Sequence, residues 1–166
     1  MMKFVYLVDT SVLIEAYRNF YAFDLVPSFW DKLKEYIKNK KVLIIDWVKK
    51  EIEEEKEDLL TKWLKNEFDK NDFVSTDNKK IIAQYEEIIN WVQNNPQFND
   101  EAKADFADGA DGWLVAYAKV NDCIVVTQEK FRPDIKRRVP LPNVCKKFEV
   151  KYINLFEMLR RLKFKI

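Results

Sequence analysis

The chain has 166 residues, of which 48% are hydrophobic and 34% are charged, and its 29 basic and 28 acidic residues give a formal net charge of +1. This composition is typical of a globular protein, here interpreted as one domain over residues 1–166, and it excludes a disordered chain of low hydrophobicity and high net charge. Because the overall charge is nearly balanced, a polyanion would have to be attracted by a local basic patch.

Residue usage excludes several kinds of site. The sequence contains no histidine, which excludes Ser–His and Cys–His catalysis and histidine metal ligands. Cys123 and Cys145 have no CxxC spacing, so neither a zinc site nor redox chemistry is indicated. No apolar run approaches the roughly 18 residues of a membrane span. The N-terminal apolar run reaches Asp9 too soon for a signal peptide, so we expect a cytoplasmic protein with no membrane contact.

The predicted elements alternate between strands and helices. The first is a strand from Lys3 to Val8, and its nearly continuous apolarity favours burial on both faces of a parallel sheet. Asp9-Thr10-Ser11, three residues that often cap helices, follow it. In the first half of the chain, the later predicted elements are a helix from about Val12 to Tyr21, a helix from Ser28 to Lys40 with Pro27 in its first turn, a strand from Val42 to Ile45, a helix after Asp46 and a helical spacing from Leu59 to Phe68. A short strand or turn from Asp72 to Thr76, a helix from Ile81 to Val92 and an apolar helix from Trp113 to Ala118 follow. The last predicted elements are a strand from Cys123 to Thr127, a basic loop to Pro142, a strand from Phe148 to Tyr152 and a helix from Leu155 to Leu162 capped by Asn154.

This alternation predicts a three-layer α/β/α sandwich with a central, mostly parallel, Rossmann-like sheet. In such sheets ligands bind beyond the carboxyl ends of the strands. Residues that follow different strands are therefore expected to meet at one edge.

Four acidic residues fall where this rule would gather them. Asp9 follows the first strand, and Glu129 follows the Cys123–Thr127 strand. Glu51 lies on the helix after the second strand, and Asp111 opens the apolar helix. Four carboxylates in one cleft repel each other unless protons or cations lie among them. Oxygen ligands alone favour Mg²⁺ or Mn²⁺, which can activate water and neutralise charge during phosphodiester cleavage.

Each of these residues also has a simpler interpretation. Asp9 and Asp111 could be helix caps, Glu51 could be a solvated residue of a glutamate-rich helix, and Glu129 could be an ordinary loop acid. The glutamates at positions 53 to 55 are alternatives to Glu51, but only Glu51 has the expected distance from the second strand. Thr10 and Ser11 could bind the free amides of the first helix or a scissile phosphate. A covalent role for Ser11 is disfavoured, because no histidine is present to activate it.

The four acidic segments together resemble the motifs of PIN-domain nucleases. Residues 9–14, DTSVLI, are similar to the opening motif, and residues 48–52, VKKEI, are similar to the second. Residues 111–118, DGWLVAYA, resemble the third, and residues 125–131, VVTQEKF, resemble the fourth. Their order and spacing agree with the family over most of the chain.

Within that family the chain looks most similar to VapC-like ribonucleases, the toxins of toxin–antitoxin pairs. The resemblance implies a PIN-like fold and a metal-dependent endoribonuclease that hydrolyses RNA phosphodiester bonds with water activated by Mg²⁺ or Mn²⁺. It also implies an antitoxin from a neighbouring gene and a homodimer as partners. Carried over residue by residue, the catalytic metal ligands would be Asp9, Glu51, Asp111 and Glu129, with Thr127 supporting the site through its hydroxyl.

Two features depart from the family pattern. Glu129 stands where many PIN domains have Asp. Asp105, Asp108 and Asp111 are three residues apart, a spacing that would put them on one helical face. We favour Asp111 as the ligand because it directly precedes the apolar helix, with Asp108 as a supporting residue or an alternative ligand. The chain's two glycines, both in this stretch, would let the backbone turn tightly there.

Two groups of basic residues have open interpretations. One group lies in the loop after the fourth motif and would either hold RNA phosphates, with an affinity that falls with salt, or be solvated. Its members are Lys130, Arg132, Lys136, Arg137 and Arg138. The other, from Arg160 to Lys165, is interpreted as a solvated helix end that offsets the helix dipole.

Two rival functions are considered beside the ribonuclease. One is a catalytically weak PIN-like module that binds RNA or protein. The other is a phosphotransferase with Asp9 as the phosphorylated residue. A haloacid-dehalogenase-like site would need a second Asp two positions later, where Ser11 stands.

Overall fold

The computed structural model describes residues 3–55 and 57–166. Four strands form one sheet in the order β2-β1-β3-β4, and every neighbouring pair is parallel. The strands are Tyr6–Val8 (β1), Val42–Leu43 (β2), Ile124–Val126 (β3) and Tyr152–Ile153 (β4). Helices flank this sheet, so the predicted three-layer α/β/α sandwich with a parallel sheet is confirmed.

The helices connect the strands and cover the sheet. They are Thr10–Glu15 (α1), Pro27–Lys38 (α2), Asp46–Glu54 (α3), Leu59–Glu67 (α4), Lys79–Gln93 (α5), Asp100–Asp108 (α6), Asp111–Asn121 (α7), Leu141–Lys147 (α8) and Leu155–Arg161 (α9). A π-helical segment, Ala16–Phe20, continues α1, and a 3₁₀ turn, Lys70–Asp72, precedes α5. Within the described residues, none of the helices is both long enough and apolar enough to cross a membrane.

The central strands β1 and β3 are buried along their whole length, as expected for strands covered on both faces. Their register pairs Tyr6 with Ile124 and Val8 with Val126. One residue further, the Asp9 amide donates to the Val126 carbonyl at 2.9 Å. The chain therefore leaves both strands at the same edge of the sheet, and the residues that follow them are neighbours.

Residues in the left-handed backbone conformation turn the chain from helix to strand at the amino edge of the sheet, opposite the edge where β1 and β3 end. Lys40, Asp122 and Glu149 have φ of 59°, 53° and 59°, and they lie just past the ends of α2, α7 and α8. Glycine usually occupies such positions because it lacks a Cβ. The helices that lead into β2, β3 and β4 thus end at the amino edge of the sheet.

Two sequence-based element boundaries are wrong near the site. The basic loop predicted to reach Pro142 ends at Pro140, because α8 begins at Leu141 with Pro142 in its first turn, where proline is tolerated. The strand predicted from Phe148 to Tyr152 shares only Tyr152 with the observed strand, Tyr152–Ile153. Burial of Leu141, Val144 and Cys145 stabilises α8 despite its shortness.

Asp46, which the sequence pattern placed just before a helix, is instead the first residue of α3. Its carboxylate accepts hydrogen bonds from the Thr76 amide at 3.0 Å and the Thr76 hydroxyl at 3.1 Å. Nearby, Ile45 forms an isolated parallel bridge with Val74, which extends the pairing beyond β2. Asp46 therefore anchors the segment before α5.

Candidate metal centre

Asp9 is held at the carboxyl end of β1 by two hydroxyl groups. Its side chain is only 4% exposed. Ser11 Oγ donates to Asp9 Oδ2 at 2.7 Å, and Thr127 Oγ1 donates to the same oxygen at 2.9 Å. Neither hydroxyl donates to Oδ1, so the carboxylate is fixed through one oxygen.

Thr127 links the ends of the two central strands. Besides donating to Asp9, its buried hydroxyl accepts a hydrogen bond from the Glu129 amide at 3.1 Å. Ser11 Oγ similarly accepts from the Gln128 amide at 3.4 Å. These bonds set the start of the loop after β3 against the residue that follows β1, which carries Glu129 toward Asp9.

Asp111 completes a cluster of three carboxylates. It is the first residue of α7 and is half-buried. One carboxylate oxygen from each of Asp9, Asp111 and Glu129 lies within 4.8 Å of the other two. These three residues, hereafter the acid cluster, come from separate parts of the chain, and the sequence analysis expected them to meet.

Glu51 lies in the same cleft, but both of its oxygens are hydrogen-bonded to the protein. Thr10 Oγ1 donates to Oε2 at 2.7 Å, and the Ala110 amide donates to Oε1 at 2.6 Å. A Cβ at Gly109 would lie 3.2 Å from Oε1, so glycine allows this close approach. Glu51 thus joins the start of α1 to the turn before α7 and stands outside the acid cluster.

The prediction that Asp105, Asp108 and Asp111 lie on one helical face is wrong. Helix α6 ends at Asp108, the extended backbone of Gly109 interrupts it, and α7 begins at Asp111. Asp105 lines the cleft, whereas Asp108 is exposed and lies outside the acid cluster. Asp108, proposed as an alternative ligand, is therefore not gathered with the other acids.

The cleft has a volume of about 480 Å³ and includes two further acids: Glu15, which the sequence-based prediction missed, and Glu55, one of the alternatives to Glu51. Glu15 and Glu55 line it together with the acid cluster. Glu15 is the last residue of α1 and stands four residues after Ser11, a spacing that puts both on one helical face, whereas Glu55 follows the end of α3 with an extended backbone. The i,i+4 spacing was the signal that could have identified Glu15.

A family model described as a domain of unknown function, DUF4411, matches residues 6–166. The chain belongs to the DUF4411 family. The comparison with curated proteins found no match. The matched range runs from the start of β1 to the C-terminus, so it contains every acid of the cleft. The description of DUF4411 names no activity, and the function must therefore be inferred from the chemistry of the cleft.

Burial and mutual repulsion perturb the acid cluster of this DUF4411 protein. Burial, followed by the charges of Asp9, Glu129 and Glu51, raises the pKa of Asp111 well above its ordinary value. Burial also raises the pKa of Asp9, with a contribution from Glu51, although hydrogen bonds from Ser11 and Thr127 oppose the rise. Ionised carboxylates are thus unfavourable here without a cation.

Arg138 supplies a positive charge to the DUF4411 cleft. Its guanidinium donates to Glu129 Oε1 through Nε at 3.0 Å and through a terminal nitrogen. Burial and the charge of Asp9 raise the pKa of Glu129, and Arg138 opposes that rise. Arg138 is one of five loop cations that were predicted to hold RNA or to be solvated, but in the structure it contacts an acid of the cluster.

The other members of the basic group lie around the cleft without entering the acid cluster. Arg137 lines a neighbouring pocket together with Asp105, Asp111 and Arg138. Lys130, Arg132 and Lys136 have exposed side chains. Within this DUF4411 chain, one face of the loop therefore meets the carboxylates while the rest is open to solvent.

Proposed function

We propose that this protein is a divalent-metal-dependent nuclease that hydrolyses RNA internally. The observation that carries the proposal is the acid cluster, in which oxygens of Asp9, Asp111 and Glu129 lie within 4.8 Å of one another at the carboxyl edge of a parallel sheet. That edge is where such sheets bind their ligands. The motif resemblance to PIN domains supports the same function.

The chemistry of the cluster fits Mg²⁺ or Mn²⁺. All three donors are carboxylates, which hard divalent cations prefer, and neither histidine nor thiolate belongs to the cluster. Octahedral ligands at about 2.1 Å from an ion are about 3–4 Å apart, so the oxygens need only a small closure. A cation would also relieve the repulsion that raises the pKa of these acids.

The residues around the cluster would have separate tasks. Asp9, Asp111 and Glu129 would hold the ion, while Ser11 and Thr127 keep Asp9 in place through Oδ2. A bound divalent ion supplies Lewis-acid chemistry: it lowers the pKa of water and neutralises charge on a phosphate. Glu51 would keep the α6–α7 turn against α1, since it bonds both Thr10 and Ala110.

RNA would be held by the basic loop beside the cleft. Arg137 and Arg138 line pockets shared with the acids, and Lys130, Arg132 and Lys136 are exposed in the same loop. Contacts from these cations to phosphates would offset the repulsion between the acids and a polyanion. Binding along an open cleft suits cleavage within a chain.

The resemblance to VapC-like toxins extends the proposal to partners. A small antitoxin from a neighbouring gene would inhibit the nuclease, and the nuclease would form a homodimer. A short adjacent gene whose product copurifies with this protein and suppresses cleavage would support the toxin role. Unchanged cleavage in the presence of that product would contradict it while leaving the nuclease proposal intact.

The test combines metal binding with cleavage in wild type and Asp9→Asn. Calorimetric titration with Mn²⁺ should show binding to the wild type and weakened binding to the variant. An RNA labelled along its length should yield internal fragments with Mg²⁺ or Mn²⁺, none with EDTA and none with Asp9→Asn. Circular dichroism would verify that the variant is folded, since its amide oxygen can still accept from Ser11 and Thr127.

Three outcomes would contradict the proposal. Undiminished cleavage by Asp9→Asn would remove the assigned role of that carboxylate. RNA binding without Mn²⁺ binding or cleavage in the wild type would favour the catalytically weak binding module. A stable aspartyl-phosphate on Asp9 after incubation with acetyl phosphate would favour the phosphotransferase.

A further inference from the structure

A groove of about 860 Å³ crosses the amino edge of the sheet, opposite the acid cluster. Its walls come from the residues that precede β1, β2 and β4 and from the end of α9. Five cationic side chains line this surface, hereafter the basic groove. They are Lys3, Lys41, Lys151, Arg161 and Lys163.

Sheet topology fixes part of this row. The Lys41 carbonyl accepts a hydrogen bond from the Tyr6 amide at 3.1 Å, and the Lys151 carbonyl accepts one from the Val125 amide at 2.9 Å. Lys41 precedes β2 and Lys151 precedes β4, which are the two outer strands of the sheet. Three strand spacings of about 4.8 Å separate them, so cations line roughly 14 Å of the edge.

The charge of the basic groove is largely uncompensated. Among the described residues, Lys3, Lys41, Lys151 and Lys163 form no ion pair, and no acidic side chain lines the groove. Arg161 pairs with Glu157 at 3.2 Å. The groove therefore has a positive potential, although the whole chain has a net charge of only +1.

The floor of the basic groove is apolar and partly aromatic. Phe4 is 39% exposed, and Lys151 Nζ lies 5.8 Å from the centroid of its ring. Ile124 and Leu162 complete the apolar lining. Cations that contact a phosphate backbone, next to an exposed ring on which a base can stack, are characteristic of surfaces that bind single-stranded nucleic acids.

We infer that the basic groove binds the phosphate backbone of single-stranded RNA, with Phe4 stacking on one base. The site is separate from the proposed nuclease centre, because it lies at the other edge of the sheet and requires no metal. A simpler role for the lysines is to offset the dipoles of α2, α7 and α8, which end at this edge. That role predicts an effect on stability and none on RNA binding.

The test uses fluorescence anisotropy with a fluorescein-labelled oligouridylate and EDTA, so that metal-dependent cleavage is absent. The variant Lys41→Gln/Lys151→Gln is compared with Lys79→Gln/Lys80→Gln, which loses the same charge from exposed positions at the start of α5. The groove variant should bind about tenfold more weakly. Its plot of log affinity against log salt should be shallower by about 1.4, because each lost phosphate contact removes about 0.7 from the slope.

Phe4→Ala separates stacking from charge. It should weaken binding roughly tenfold while leaving the salt slope unchanged, since no phosphate contact is lost. Equal affinities for both lysine variants would overturn the inference, as would a groove variant that is less stable but binds RNA normally. Competition by polyglutamate as effective as that by RNA would assign the groove to an acidic polypeptide instead. Failure of wild-type protein to cleave RNA would affect only the nuclease proposal.

Discussion

The two edges of the parallel sheet carry opposite charges that are arranged in different ways. At the carboxyl edge, Asp9 is buried and the other two members of the acid cluster are half-buried, their oxygens lie within 4.8 Å of one another, and hydroxyl groups fix Asp9. At the amino edge, the cations of the basic groove are spread across the sheet and, apart from Arg161, lack ionic partners among the described residues. The carboxyl edge therefore concentrates negative charge at a cost in free energy, whereas the amino edge spreads positive charge over solvent-exposed side chains.

Helix dipoles explain the sign of each edge but not this difference. Acids near the starts of α1 and α7 and lysines near the ends of α2 and α8 are both favourable to the dipoles. Exposed residues would suffice for that purpose. Burial that raises the pKa of Asp9, Asp111 and Glu129 opposes their ionisation and destabilises the metal-free fold at neutral pH. Such perturbed groups in a cleft are characteristic of functional sites.

The largest effect is expected from a substitution that changes the carboxyl edge alone. Asp111→Asn should lower Mn²⁺-dependent RNA cleavage by more than about 100-fold, because even residues that merely orient metal ligands contribute about 10–100-fold. Asp108→Asn is the matched control, since it removes the same charge three residues earlier from an exposed position. Initial cleavage rates under identical conditions provide the measurement. Equal losses in both variants would mean that overall charge, not coordination, controls the rate.

The topology made part of this site predictable. Asp9 and Glu129 follow apolar runs that the sequence marked as strands, and parallel strands bring such residues to one edge. The α6–α7 break was only partly predictable: Gly109 and Gly112 indicated a tight turn, but Asp105, Asp108 and Asp111 keep helical spacing through it. A tertiary contact holds this turn: the Ala110 amide donates to Glu51 Oε1 at 2.6 Å, and Glu51 lies 59 residues earlier in the chain.

Arg138 and α8 show the same limit. Five cations in one loop are equivalent by composition, and only the path of the loop brings Arg138 to Glu129. Residues 141–147 contain a proline and too few residues for a stable isolated helix, so local propensity indicated a loop. Burial of Leu141 and Val144 overrides that propensity.

A smaller effect concerns the stability of the metal-free protein. Asp111 has a higher pKa in the folded protein than its ordinary 3.8. Below 3.8 it is protonated in both states; as the pH rises, the unfolded chain ionises first and the folded state loses stability. Asp111→Asn removes this loss. In EDTA the variant should therefore be more stable than wild type near neutral pH, by about 1 kcal/mol or more, and each kcal/mol raises Tm by roughly 2–4 °C.

Thermal melts at about pH 3 and about pH 8 would check this sign, since the first lies about one unit below the ordinary pKa of Asp and the second well above it. The gain in Tm should appear only at the higher pH. Saturating Mn²⁺ should reverse the order, because ligand binding stabilises the wild type more than the variant. An equal gain in Tm at both pH values would show that ionisation of Asp111 does not destabilise the folded protein.

The smallest expected effect concerns whether a cation at either edge of the sheet changes Mn²⁺ binding to the acid cluster. Arg138→Gln removes the cation beside Glu129, so Mn²⁺ should bind more tightly. The Arg138 side chain is 62% exposed, and exposed ion pairs contribute at most about 1 kcal/mol, which limits the gain to about two- to fivefold.

Lys41→Gln removes an equal charge from the opposite edge, and beyond a Debye length of about 8 Å its effect on the acid cluster should be screened at physiological salt. Calorimetry would compare the three proteins. Weaker Mn²⁺ binding by Arg138→Gln would instead show that Arg138 positions Glu129 as a ligand, and a shift with Lys41→Gln would show that the two edges share one electrostatic field.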